Sequence, residues 1–89
     1  MTPTPIEYAP LFRRAYKKKP PEMQAIIRAA VTQLRADWRH PGLHTHRVQG
    51  ARGVFEARLD GGNRLTFHWD GDTIVLRNHC NHDILNRNP

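Results

Sequence analysis

The sequence predicts an α+β domain, an N-terminal antiparallel helical hairpin packed on a C-terminal antiparallel four-stranded sheet. Three observations carry this expectation. Apolar residues recur at helical spacing as far as about Asp37, and at a period of two after Leu43. Pro20-Pro21 and Pro41-Gly42 punctuate the first half. Glycine-containing turns divide the second half into short alternating segments. With 89 residues the chain is expected to form one domain, residues 1–89, around a modest core.

The elements follow in order. Met1–Pro5, with two threonines and two prolines, reads as a loose tail. Tyr8 to Lys19 reads as a helix, with Phe12, Ala15 and Tyr16 on one face and Arg13, Arg14, Lys17 and Lys18 largely on the other. Pro20-Pro21 ends it, and Pro21 with Glu22 suits the first turn of a second helix running to about Asp37. Met23, Ile27, Ala30 and Leu34 are its core positions. Thr45–Gln49, Val54–Leu59, Arg64–Trp69 and Thr73–His79 are the expected strands. Asp60-Gly61-Gly62-Asn63 and Asp70-Gly71-Asp72 carry hairpin-turn chemistry between them. The apolar side of this sheet needs a cover, and the helical hairpin supplies it. Trp69 is expected in the core and Trp38 at its edge.

Opposed residues of a sheet share a face, so turn lengths yield a register. A two-residue turn at Gly71-Asp72 pairs Trp69 with Ile74, Phe67 with Leu76, His68 with Val75, Thr66 with Arg77, and Arg64 with His79. Turns at Gly61–Asn63 and Gly50–Gly53 pair Arg58 with Thr66, Glu56 with His68, and Arg47 with Glu56. The polar face then has three rungs: Arg47–Glu56–His68–Val75, Thr45–Arg58–Thr66–Arg77 and Asp60–Arg64–His79.

This face gathers four arginines, two histidines and one glutamate, and holds no lysine. Arginine matches phosphate oxygens through paired donors, and histidine gives or takes a proton near neutral pH. Those groups suffice to cleave RNA by attack of its own 2′-hydroxyl: a base, fixed positive charge at the phosphate, and an acid at the leaving 5′-oxygen. Any one of the residues alone is better read as surface decoration, since an exposed pair such as Asp60–Arg64 is worth about 0–1 kcal/mol. The cluster favours function, because like charges gathered on one face oppose folding. The formal charge of +6 points the same way. Residues 1–43 hold eight Lys/Arg against three Asp/Glu, and residues 44–89 hold six against five but carry five of the six histidines. The first half reads as an approach surface, the second as the place of chemistry. One cysteine, no long apolar stretch and no leader-like N-terminus predict a cytoplasmic protein without a membrane span.

The sequence resembles the RelE/ParE superfamily of toxins from toxin–antitoxin pairs, from about Leu11 to Asn88. The resemblance rests on the order and spacing of LFRRAYKK (Leu11–Lys18), LRADWRHPGL (Leu34–Leu43), HRVQG (His46–Gly50), FEARL (Phe55–Leu59), NRLTF (Asn63–Phe67), GDTIVLRN (Gly71–Asn78) and HDIL (His82–Leu85). It implies a RelE-like fold and an mRNA interferase that cuts ribosome-bound messenger without a cofactor, restrained by a small acidic antitoxin. It also implies roles. Arg64 would hold the scissile phosphate, Arg58 would support it, and Glu56 and His82 would act as base and acid. On the expected register Arg77 and His79 support the site. Arg47 and the helix cations Arg13, Arg14, Lys17 and Lys18 would contact RNA. The sequence departs from the family in one respect. The usual tyrosine after the position of His82 is absent, and Asn86 is the nearest match. A ParE-type inhibitor of DNA gyrase, or a weak or inactive member, therefore stays open. The family's short N-terminal strand has only Ile6–Tyr8 as a candidate.

Two other readings are weaker. His44-x-His46 and His79-Cys80-x-His82 contain zinc-ligand residue types, but the spacing fits no standard module, and on the expected register His44 and His46 face away from His79. Cys80 as a nucleophile lacks an identifiable base.

Overall fold

Proline placement sets the ends of both helices. In a computed structural model, which describes residues 3–81 (for Cys80 and Asn81 the backbone alone), Pro10 opens α1 (Pro10–Lys17) and Pro21 opens α2 (Pro21–Ala36). At a first helical position the missing N–H of proline has no intrahelical partner to lose. A single 3-10 turn, Pro41–Leu43, leads into the sheet, capped by His40 Nδ1 accepting from the Gly42 N–H at 3.0 Å.

Among the described residues the sheet has five strands, not four. They are β1 (Ile6–Tyr8), β2 (His46–Arg47), β3 (Phe55–Arg58), β4 (Asn63–Asp70) and β5 (Thr73–Asn81), in the spatial order β1-β5-β4-β3-β2. The added strand, β1, runs parallel to β5 with Ile6 beside Ile74, so the sheet is mixed. Its three residues are too few to display a period, which is why the sequence left it faint. The stretch before it is less loose than expected. The Thr4 N–H donates to the Arg35 carbonyl at 3.0 Å, Arg35 Nε donates back to the Thr4 carbonyl at 2.8 Å, and the Ile74 N–H donates to the Pro5 carbonyl at 2.9 Å.

Both helices cover one face of the sheet. Phe12 of α1 and Ile27, Val31 and Leu34 of α2 are buried with Leu43, Ala57, Leu65, Phe67, Ile74 and Leu76. Met23, Ala30, Trp38 and Trp69 pack around this core, half-buried. The inward set of β3 and β4 matches the expected alternation.

Three registers differ from expectation. The β4–β5 turn at Gly71-Asp72 is as expected, with Gly71 at φ +59°, and Trp69, His68 and Phe67 pair with Ile74, Val75 and Leu76. A β-bulge between Thr66 and Phe67 then leaves Arg77 as an extra residue, so Thr66 pairs with Asn78, Leu65 with His79 and Arg64 with Cys80. The β3–β4 ladder is tighter by two residues, which preserves faces: Arg58 pairs with Arg64 and Glu56 with Thr66. The β2–β3 ladder slips by one residue, which reverses faces: His46 pairs with Glu56, and Arg47 with Phe55. The slip follows from burial. Val48 and Val54 form a small cluster of their own, and the Val48 N–H donates to the Val54 carbonyl at 2.8 Å, which closes the loop one residue earlier than glycine spacing suggests.

Candidate active site

The face away from the helices is centred on Glu56, Thr66 and Asn78, which form one rung with His46. Glu56 is only 4% exposed, although it lies on the outer side of the sheet. A buried carboxylate needs partners. His46 Nε2 lies 2.5 Å from Glu56 Oε1, and Arg64 Nε lies 4.0 Å from the same oxygen. The His46 Nδ1–H faces the His44 carbonyl at 2.8 Å. A carbonyl only accepts, so Nδ1 donates there, and Nε2 and Glu56 are left to share the proton between them. Such a pair can take or deliver a proton without rearranging its heavy atoms.

Arg64 is held by the turn beside it. Its Nη1 donates to the carbonyls of Asp60 and Asn63 at 2.7 and 2.9 Å. The Asp60–Arg64 surface pair, the plainer alternative reading of these residues, is not an ion pair. The Asp60 carboxylate instead accepts from the Gly62 and Asn63 N–H groups and from the Asn63 amide, each at about 2.9 Å. The Asn63 side chain, then the Gly62 N–H, hold that carboxyl below its usual value. Arg58 stands opposite Arg64, a pairing of like charges that a ladder disfavours. Arg58 also lines a shallow hollow at the sheet edge with Ile26, Gln33 and His40.

The bulge redirects the end of β5. Arg77 donates from Nη1 to His68 Nδ1 at 3.0 Å, which keeps it on the outer face beside the Glu56 rung. His79 is the reverse of what was expected. It pairs with Leu65 on the helix side, is 7% exposed, and neither ring nitrogen has a hydrogen-bond partner among the described residues. Burial, then the charge of Lys19, lowers its pKa, with Asp60 opposing. It belongs to the packing and not to the site.

The structure thus brings together Glu56, Arg64, Arg58 and Arg77, and adds His46, which sequence reasoning assigned to the opposite face. It removes His79, and it removes Arg47, whose guanidinium lies over the Phe55 ring on the helix side at 5.7 Å. His82 lies outside the described residues, as does the side chain of Cys80. Arg13 and Lys17 line a groove of about 550 Å³ between α1 and α2, on the helix side of the sheet. Arg14 and Lys18 share α1 and its exposed C-cap. None of the four helix cations therefore joins the Glu56 rung. His46 on the outer face and His79 on the inner cannot share a metal ion. Among the described residues no three His, Cys, Asp or Glu side chains converge as a metal site would require, and no helix is long and apolar enough to cross a membrane.

No protein-family model matches the sequence, and no curated protein matches it. Solved structures do. A chain of the RelBE2 toxin–antitoxin complex from Mycobacterium tuberculosis superposes with TM-score 0.67 at 24% identity, covering 91% of this chain and all of that one. A chain of the Escherichia coli DinJ–YafQ toxin–antitoxin complex superposes with TM-score 0.75 at 17% identity, covering 94% and 98%. A YoeB/ParE toxin from Agrobacterium tumefaciens gives TM-score 0.74 at 10% identity, covering 88% and 98%. Over nearly its whole length, the chain has the fold of the RelE/ParE toxins that its sequence resembles.

Proposed function

We propose that this protein is the toxin of a toxin–antitoxin pair and acts in the cytoplasm as an endoribonuclease on messenger RNA, by attack of the 2′-hydroxyl on the adjacent phosphate. The observation that carries this reading is the buried Glu56 carboxylate in contact with His46, flanked by Arg64. The Glu56–His46 pair takes the proton from the 2′-hydroxyl. Arg64, with one guanidinium nitrogen already fixed by two carbonyls, and Arg58 opposite it stabilise the negative charge that grows on the phosphate. Preorganised donors of this kind need no reorientation as the charge develops, which suits them to a transition state. Arg77, backed by His68, extends the same cationic face. The proton for the departing 5′-oxygen falls to His82 on the family resemblance. These groups supply the acid, the base and the charge from the chain's own side chains, so no cofactor is invoked.

A partner fits the opposite side. The groove between α1 and α2 has Phe12, Ile27 and Val31 in its floor and Arg13, Lys17, Arg28 and Arg35 around it. Apolar floor and cationic rim suit an acidic amphipathic segment, which is the chemistry expected of an antitoxin. That solved structures of the same fold are toxin–antitoxin complexes supports the assignment.

The test is expression of the chain without a partner, together with mapping of cuts in an in vitro translation reaction. Growth arrest with discrete messenger cuts, both abolished by Arg64→Ala, is the expected result. Arrest that survives Arg64→Ala, with intact messenger and inhibited gyrase supercoiling, would replace this reading with the ParE-type one.

A further inference from the structure

One cluster takes no part in the site above. Trp38, just beyond α2, meets Phe55 and Trp69 edge-on, with ring centroids 5.9 and 5.6 Å apart. Arg39 lies over the Trp38 ring at 4.7 Å, and Arg47 over the Phe55 ring at 5.7 Å. The three rings are partly buried, each keeping some surface in solvent, and both arginines are exposed. At the rim of a core, an aliphatic side chain would cover each ring without bringing a charge to it. A guanidinium lying on a ring presents a second flat face outward. Alternating aromatic rings and arginines are the groups that hold unpaired bases, by stacking and by attraction for the backbone. Strand β2 joins this cluster to the site. His46 reaches Glu56 on one side of the sheet, and the next residue, Arg47, reaches Phe55 on the other.

We infer that the Arg39–Trp38–Phe55–Arg47 row is a stacking platform for single-stranded RNA, on the far side of edge strand β2 from the Glu56 site. A strand rounding that edge would lay its bases on the platform and its backbone against Arg64. The platform binds unpaired bases whether or not the chain cleaves them.

The molecule carries its own probe. Its two tryptophans are both in this cluster, so tryptophan emission, excited at the red edge where Tyr8 and Tyr16 do not absorb, reports on it alone. The experiment titrates the full chain with a short single-stranded 2′-O-methyl oligonucleotide, which cannot be cut by 2′-hydroxyl attack. Tryptophan emission should be quenched on binding. Arg39→Ala with Arg47→Ala should weaken binding about tenfold, near the loss of one base stack, with an unchanged circular dichroism spectrum. Arg39→Lys with Arg47→Lys should weaken it similarly, because the charge returns and the flat face does not. Arg64→Ala should stop cleavage yet keep the quenching, so failure of the nuclease reading and failure of the platform are told apart. The inference is overturned by saturation without quenching, by full recovery in the lysine variants, by equal binding of a duplex, or by equal quenching with an acidic peptide.

Discussion

Replacing Glu56 by glutamine separates the chemical from the structural role of the buried carboxylate. The substitution keeps the shape and an acceptor for His46 but removes the charge. Across the 4.0 Å to Arg64, an effective dielectric constant of about 20 makes the lost attraction about 4 kcal/mol. Against this stands relief of desolvating a carboxylate that is 4% exposed, itself worth several kcal/mol. His46, with its side chain 61% exposed, adds little because water screens it. The two large terms oppose, so stability should move by no more than about 1 kcal/mol, or roughly 4–8 °C in a domain of this size. Cleavage should fall by about 10²–10⁴, the usual contribution of a positioned acid or base. Single-turnover cleavage of a labelled RNA and a parallel urea melt measure the two. If the pair works as one unit, Glu56→Gln combined with His46→Gln should be no slower than the slower single variant. A folded Glu56→Gln protein cutting within about threefold of wild type, or two losses that multiply, would refute the shared-proton argument.

Three further outcomes are expected. Arg64→Lys keeps a charge but loses the fork and one of the two anchors, and should slow single-turnover cleavage about 10²–10³-fold. Cleavage should be unchanged after dialysis against EDTA, measured with the same labelled RNA. His79 gives a pH dependence of stability, readable as the urea midpoint from pH 7.5 to 5. Burial depresses its folded-state pKa, so the unfolded chain takes up the proton first; stability is complete above the ordinary 6.5 and falls as pH drops from there. The slope reaches at most about 1.4 kcal/mol per pH unit, and His79→Leu should remove that portion of it.

Much of the fold was legible because it rests on local chemistry. Pro20 and Pro21 separate the helices, although the first begins at Pro10 and not at Tyr8, which belongs to β1; Gly71 permits the final turn, and alternation in Phe55–Arg58 and Asn63–Asp70 assigns faces without any knowledge of partners. Glu56, Arg58 and Arg64 were assigned to the outer face for the same reason: a two-residue error in the β3–β4 ladder leaves faces intact. What was lost depended on phase. A one-residue slip, driven by burial of Val48 and Val54, exchanged Arg47 for His46. The bulge at Arg77 turned His79 inward, and nothing in the alternation of Val75, Arg77 and His79 announces an extra residue. Strand β1 owes its existence to β5 and has too little length to show a pattern of its own.

The position of β5 has a consequence for synthesis. This strand lies between β1 and β4, so Ile6 must wait for Ile74 before it finds its neighbour. Contacts between distant parts of a chain form slowly and only once both parts exist. The part of the chain before Thr73, helices included, therefore emerges from the ribosome with Phe12, Ile27 and Leu34 lacking much of the surface that buries them. Until residues 73–81 have been added, the product has no closed core, and the outer-face rung that depends on Thr66 meeting Asn78 cannot assemble on an unfinished copy.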